Sequence, residues 1–346
     1  MHGIKIGVIM NNQEPADGDM LRSLEEQLAM VRHARDRGWD SYFCSMHYLE
    51  DGDSQAMQQV PLLARMAAEA GEMTMGVGIF LLNLHNPVYT AETMATLDII
   101  ARGNLVLGVG LGYREVEFDA FGVPRGRRVR RFEDYLTLLK RLWTEEAVSY
   151  ADETCKLDNV RLNLRPLQQP HPPIWMGANH DNAVRRAARM ADCWYVNPHA
   201  TLETNRRQMA IFREARQAAG LPMPREIPCR KEIFCAKDRR TALEMVAPYL
   251  AEKYRTYVRW GQDKVMPGDE RLDLPFEELV RDRFVIGSPE DCYEQLRPYW
   301  EDLGVNHFIF RIQHRGMPAG HIMSCMRMIS DELLPELRRV PTSPAA

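Results

Sequence analysis

Ten polar side chains stand just beyond apolar, strand-like runs: His47, Asn83 and His85, Arg114 and Glu115, Asn179, Asn197 and His199, Arg311 and His314. Any one of them could cap a helix or face solvent, and it is their recurrence at the same point of a repeating pattern that points to chemistry. A histidine's unperturbed pKa near 6.5 suits proton transfer at neutral pH, which makes His47, in Met46-His47-Tyr48, the candidate acid-base group. Metal chemistry is not expected. The ten histidines show no HExxH spacing, and the seven cysteines (Cys44, Cys155, Cys193, Cys229, Cys235, Cys292, Cys325) form no CxxC pair, so they read as reduced, mostly buried thiols. A barrel hydrolase or aldolase would need lysine or paired carboxylates at these positions, which mostly lack them.

The second source of chemistry is Asn104 to Phe121, NLVLGVGLGYREVEFDAF. Its apolar start is a buried-strand run, and Gly108, Gly110 and Gly112 then bare the backbone where a planar ligand could lie. Tyr113, Arg114 and Glu115 follow as a polar rim. A dinucleotide fingerprint would place such glycines after the first strand and a phosphate on the next helix, whereas here the cluster follows the fourth strand and the next segment is acidic. The glycines could also serve only close packing of strand on helix.

These residues must be positioned by eight strands alternating with helices. The strands read as Ile4 to Met10, Asp40 to Cys44, Met73 to Phe80, the run from Leu105, Ile174 to Met176, Asp192 to Val196, Ile227 to Ala236 and Asn306 to Phe310. The clearest helix carries Phe132, Tyr135, Leu136, Leu139, Leu142 and Trp143 at helical spacing. The pattern predicts an α/β fold, a single (β/α)8 TIM barrel with a hairpin insertion near 148–165 and a long loop near 256–285, within which Trp260 to Phe284 is a candidate lid. One domain is expected over 1–340, with a disordered tail at 341–346. In this fold the polar tips gather at the carboxyl face, where barrel enzymes keep their sites.

Composition excludes more than it selects. With 45% hydrophobic and 27% charged residues and a net charge of −4, the chain is an ordinary globular protein with no reason to bind nucleic acid or an anionic membrane. The basic run Arg125 to Arg131 reads as a solvated helix face. No apolar run approaches the roughly 20 residues that cross a bilayer, and the N-terminus enters a strand directly, so a cytoplasmic location is expected.

An ordered set of segments resembles the bacterial luciferase-like family of flavin-dependent monooxygenases. They are Gly38-Trp39-Asp40 leading to Met46-His47-Tyr48, Gly76 to Ile79, LGVGLGYREVEFDAFGVP, Arg131-Phe132-Glu133-Asp134, PPIWMGAN with AVRRAARMAD, and Gly287-Ser288-Pro289-Glu290. The resemblance implies a TIM barrel, a homodimer, and reduced FMN supplied by a separate reductase and used with O2 to oxygenate a small apolar substrate. Its residue-by-residue implications are a non-proline cis peptide at Gly78-Ile79 under the flavin, ring contacts along Gly110, Leu111, Gly112 and Tyr113, and phosphate binding at Gly177, Ala178 and Asn179, with His180 beside them. Asn83, Met176 and Tyr195 are further implied cofactor contacts, and Phe80, Leu81, Leu82, Trp175 and Trp194 are offered with Tyr195 as apolar walls. Unpaired N–H groups at a helix start favour an anion independently of any family. The family's catalytic histidine position is Met46 here, so His47 must carry acid-base work or be structural. Two alternatives remain: the deazaflavin coenzyme F-420 transferring hydride in place of oxygen chemistry, or a non-catalytic flavin-binding protein.

Overall fold

The computed structural model describes residues 3–50, 52–268 and 270–342. Nine strands form one curled, parallel sheet like that of a TIM barrel: β1 Lys5–Asn11, β2 Ser41–Ser45, β3 Thr74–Phe80, β4 Leu105–Val109, β5 Ile174–Gly177, β6 Cys193–Tyr195, β7 Pro228–Cys235, β8 Val285–Gly287 and β9 His307–Arg311. Their order is β6-β5-β4-β3-β2-β1-β9-β7-β8. Strand pairs are almost all separated by helices, as parallel pairing requires. The principal helices are α1 Met20–Asp36, α2 Gln59–Ala70, α3 Pro87–Ile100, α4 Glu115–Ala120, α5 Arg128–Thr144, α6 Asp181–Met190, α7 Leu202–Ala218, α8 Arg239–Arg259, α9 Phe276–Arg283 and α10 Pro289–Asp302, with further turns to Arg339.

Local chemistry accounts for the boundaries. Asp19 caps α1 by accepting from the amides of Leu21 and Arg22, Asn86 caps α3 ahead of Pro87, and Ser288 with Asp291 makes a capping box on α10. The apolar stripe read along α5 is buried from Phe132 to Trp143, and Trp143 donates to the Ala91 carbonyl of α3. Inside the sheet, Ile9, Phe43, Val106, Trp175, Cys193, Tyr195 and Ile309 form a packed layer, with the Phe43 and Trp175 rings stacked at 5.4 Å. Gly76 makes room for it, since a Cβ there would lie 1.9 Å from Phe43. Below the layer, at the amino end of the strands, His307 bonds Ser41 Oγ (2.8 Å) and Glu226 (2.9 Å). The interior is thus filled from beneath at the amino ends of the strands.

One expectation is met with an addition and one needs correction. Each of the eight strands read in the sequence is present, and Val285–Gly287 adds β8 alongside the carboxyl half of β7 (Ile233 to Cys235). The amino half of β7 meets the end of β6 through a single bridge, Val196 to Cys229, where the Val196 amide donates to the Pro228 carbonyl at 2.9 Å. The region near 256–285 is not a long loop. It holds the end of α8, a turn of 3-10 helix at Asp263–Val265, α9 and the start of β8. With Phe276, Leu279 and Val280 as its inward apolar residues, α9 is too short for its period to stand out among charges, although Glu277 and Glu278 in its first turn and Arg281 and Arg283 in its last suit the helix dipole. The hairpin near 148–165 is present as Val148–Ala151 paired with Lys156–Val160, and an additional ribbon pairs Gln13–Pro15 with Ser54–Ala56. Of the expected disordered tail, 343–346 lies outside the described residues.

Candidate active site

A cavity of about 370 Å³ opens at the carboxyl ends of the strands. Its wall on the β3 and β4 side is made by Gly78, Ile79, Leu81, Leu111, Gly112 and Tyr113. The Gly78–Ile79 peptide is cis, and the β3–β4 register shifts between Val77 and Phe80. Gly110 does not line the cavity but allows this wall, because a Cβ there would sit 2.1 Å from Ile79 Cδ1.

His47 follows β2 and lines the cavity, with a side chain 21% exposed. Its Nδ1 lies 3.3 Å from Oε1 of Glu117, a fully buried residue on α4 that also lines the cavity. That oxygen accepts the Tyr48 amide at 2.9 Å and stands 3.7 Å from Arg114 Nη1. Arg114 is buried in turn, donating to the carbonyls of Tyr48 and Leu49 and stacking 4.0 Å over Trp260. An ionised carboxylate can only accept, so it fixes the proton of neutral His47 on Nδ1 and leaves Nε2 as the acceptor. Trp260, Tyr113 and Tyr257 pack edge-on around the imidazole, Trp260 at 5.0 Å. A held imidazole beside a carboxylate at the edge of a cavity can take or give one proton.

Gly177, Ala178, Asn179 and His180 line another side, where β5 turns into α6. His180 caps α6 through its ring, and Asp181 in the first turn is engaged by Arg207 and Gln208, which draws its charge away from the opening. Arg128 also lines the cavity, and among the described residues its guanidinium donates only to the Arg125 carbonyl. The basic run is therefore not uniformly solvated. Arg127 pairs with Glu153 and Arg130 with Asp134, whereas Arg128 meets no carboxylate among the described residues. A helix start beside an unclaimed guanidinium can hold a phosphate.

The sequence reading missed what lies on β7. Period-two alternation turns Arg230 and Glu232 inward and Lys231 outward to Tyr299, a signal that was available in PCRKEIFC. Glu232 is buried and pairs with Lys253 of α8, while its Oε2 lies 3.9 Å from both Arg311 and His314. Burial alone would raise the Glu232 carboxyl, but Lys253, Arg311 and Arg230 hold it well below the usual carboxylate range. Burial pushes His199 and His314 well below the ordinary histidine value, and the neighbouring cations add to it.

The structure gathers His47, Gly78, Ile79, Leu111, Gly112, Tyr113, Gly177, Ala178, Asn179 and Tyr195 around one space. Asn83, Gly110 and Met176 stand behind it. Asn83 is fully buried, and its carbonyl accepts from Arg131 at 2.8 Å. Met176 belongs to the outer core. Of the offered walls only Leu81 and Tyr195 reach the cavity; Trp175 is in the packed layer beneath, and Trp194 turns outward onto Phe212. His85 is also elsewhere, stacked on Phe80 and bonded to Tyr48, with burial taking its pKa to about 4.

A tricyclic ring with a polar edge and a phosphate tail fits what the residues present. Asn11 Nδ2, Tyr113 Oη, Glu117 Oε2, Tyr195 Oη, and Arg230 Nε and Nη2 are buried polar atoms without a hydrogen-bond partner among the described residues, and all belong to residues lining this cavity. Buried polar groups are ordinarily satisfied, so this concentration of unsatisfied ones calls for a polar guest.

The model for the luciferase-like monooxygenase family matches residues 4–307. An F420-dependent glucose-6-phosphate dehydrogenase of Nakamurella multipartita is 25% identical over 317 residues, 88% of this chain and 90% of that protein. Among solved structures, monooxygenase RslO1 from Streptomyces bottropensis aligns with a TM-score of 0.84 at 22% identity, covering 96% of this chain and 99% of its own. The oxygenating constituent of 3,6-diketocamphane monooxygenase from Pseudomonas putida, a type II Baeyer-Villiger monooxygenase in complex with FMN, aligns with a TM-score of 0.81 at 18% identity over 98% and 99% of the two chains.

Proposed function

The chain belongs to the luciferase-like monooxygenase family, whose members are flavin- or F420-dependent oxidoreductases, and from that premise we propose that it binds reduced FMN from a separate reductase and uses O2 to oxygenate a small organic substrate. The observation that carries the reading is the meeting, in one cavity, of the bared tips of β3, β4 and β5 with the His47–Glu117 pair and the unsatisfied polar atoms. In this reading the ring lies on Ile79, Leu111 and Gly112, and its polar edge meets Tyr113 and Tyr195. The phosphate sits at Gly177 to Asn179 and Arg128.

The bound flavin supplies the oxidising chemistry, and the chain supplies placement, exclusion of water and one proton. Glu117 orients His47, whose Nε2 takes or returns a proton at the substrate or ring oxygen. Tyr257, Gln262, Lys264 and Val265, from the segment between β7 and β8, close the opposite side of the cavity. We read the curled sheet as a (β/α)8 barrel with β8 as an addition, residues 1–340 as one domain, and the location as cytoplasmic; no helix among the described residues is long and apolar enough to cross a membrane. The outward Tyr89, Ile99 and Ile100 of α3, 61, 40 and 41% exposed, support a homodimer.

The second reading is hydride transfer with F420, favoured by the relative from Nakamurella multipartita. Anaerobic titration with reduced FMN and with reduced F420, followed by air, separates the two. Tight binding of reduced FMN and reoxidation slower than that of free flavin are expected. Binding of F420 alone would move the assignment to hydride transfer, and binding of neither would end both.

A further inference from the structure

The Arg230 guanidinium lines the cavity yet donates no hydrogen bond to any described residue, and its Nε and Nη2 are buried. Glu232 favours its charge but is shared with other cations and gives it no hydrogen bond. Glu232 is claimed by Lys253 through Oε1 and faces Arg311 and His314 with Oε2. Three cations, Arg230, Lys253 and Arg311, therefore surround one carboxylate. Burial and the two guanidiniums depress Lys253 well below the ordinary lysine value, but even a neutral Lys253 leaves two guanidiniums to one carboxylate. Glu117, the other acid at the cavity, is occupied by Tyr48, His47 and Arg114 on the far side. Tyr195 and Tyr254 are pushed up by burial and stay neutral, so they add no negative charge. Two guanidiniums sharing one carboxylate leave the buried Arg230 donors unmatched, and an oxyanion in the cavity would satisfy them.

The sheet order says which part of a complex that oxyanion belongs to. Around the ring, β7 and β9, which carry Arg230 and Arg311, lie diametrically across from β3 and β4. On the reading above, the flavin rests against β3 and β4 with its phosphate at the β5 tip, so the guest facing Arg230 is the substrate. We propose that the substrate carries an acidic group, a carboxylate or comparable oxyanion, which Arg230 receives from the wall opposite the flavin. This deepens the proposed function and rests on its placement of the ring. The expectation of a wholly apolar substrate becomes one of an apolar body with an acidic head.

The test compares cyclohexanecarboxylate with its neutral amide, cyclohexanecarboxamide, by calorimetry on the full chain with and without oxidised FMN. The wild type is expected to bind the acid at least tenfold more tightly than the amide. Arg230→Met should erase that preference with FMN affinity retained, and Arg230→Lys should keep several-fold of it because the charge persists. Equal affinity of the wild type for acid and amide, with FMN bound normally, overturns the inference without any variant. So does a preference that survives in Arg230→Met while reduced FMN loses tenfold relative to oxidised FMN, since Arg230 would then serve the ring. If neither FMN nor F420 binds but the acid preference is present and vanishes in Arg230→Met, the anion site stands and the flavin reading falls.

Discussion

His47 and Glu117 are 70 positions apart and meet because β2 ends where α4 begins to cross the mouth of the cavity. The histidine was legible in the sequence as a polar residue past a strand. Its partner was not, because nothing in EVEFDA distinguishes a buried orienting carboxylate from the exposed Glu115 two residues earlier. We expect His47→Ala to slow O2 reoxidation of bound reduced FMN or the coupled turnover by about 10²-fold, at the low end for loss of an acid-base group, with FMN affinity little changed. Glu117→Gln should cost less, about tenfold, since the imidazole remains but its tautomer is no longer fixed. Unchanged kinetics in both variants, measured by stopped-flow absorbance, would make the pair structural. Arg128 belongs to the same scale. Arg128→Ala should weaken FMN by about tenfold or more, the value of one charge-assisted hydrogen bond, and leave riboflavin, which lacks the phosphate, untouched. Equal losses for the two ligands would place Arg128 away from the phosphate.

At the scale of elements, the strands were legible because each is a short apolar run bounded by turn residues, and α5 because its stripe spans three turns. The segment between α8 and β8 was not, since its apolar residues are spread without a long period and a buried ion pair helps to fasten it. Glu270 and Arg283 are 8% and 5% exposed. Glu270 accepts from the Thr201 amide at 2.7 Å, and Arg283 donates to the His199 carbonyl at 2.9 Å. The pair therefore fastens the segment to the loop after β6, beside the cavity. Removing one partner from a buried pair typically costs about 3–5 kcal/mol. Glu270→Gln should lower the urea midpoint accordingly and raise amide exchange first in α9. A midpoint within experimental error of the wild type would mean that the segment is held by its apolar contacts alone.

For the whole molecule, the amino end of the barrel is held by polar contacts that no linear pattern announces. Burial raises the Glu226 carboxyl, but His307 and Lys5 outweigh it and bring its pKa down to about 2, from an ordinary 4.5. A depressed carboxyl contributes stability that is complete above 4.5 and is lost as pH falls from there toward 2. With 30% of the side chain exposed, a discounted contribution of about 1–2 kcal/mol is expected at neutral pH. Glu226→Gln should therefore destabilise at pH 7, with the difference from the wild type smaller at pH 3 and closing only near pH 2, in urea melts taken at each. A constant difference across that range would rule out ionisation as its source. Fold class was readable from the alternation of elements, whereas charges brought together from β1, β7 and β9 were not, because only the closed arrangement makes them neighbours.

The divided edge of β7 bears on what the enzyme can admit. Its lower half is tied to β6 by one bridge and its upper half to β8 by a ladder of three residue pairs, so the base and the mouth of the barrel have separate fastenings. The aperture is bounded there by the segment between β7 and β8, which contributes nothing to the aromatic packing beneath. Girth at that end is thus adjustable while depth is not, and related chains could accept wider or narrower guests by altering this one stave without rebuilding the ring.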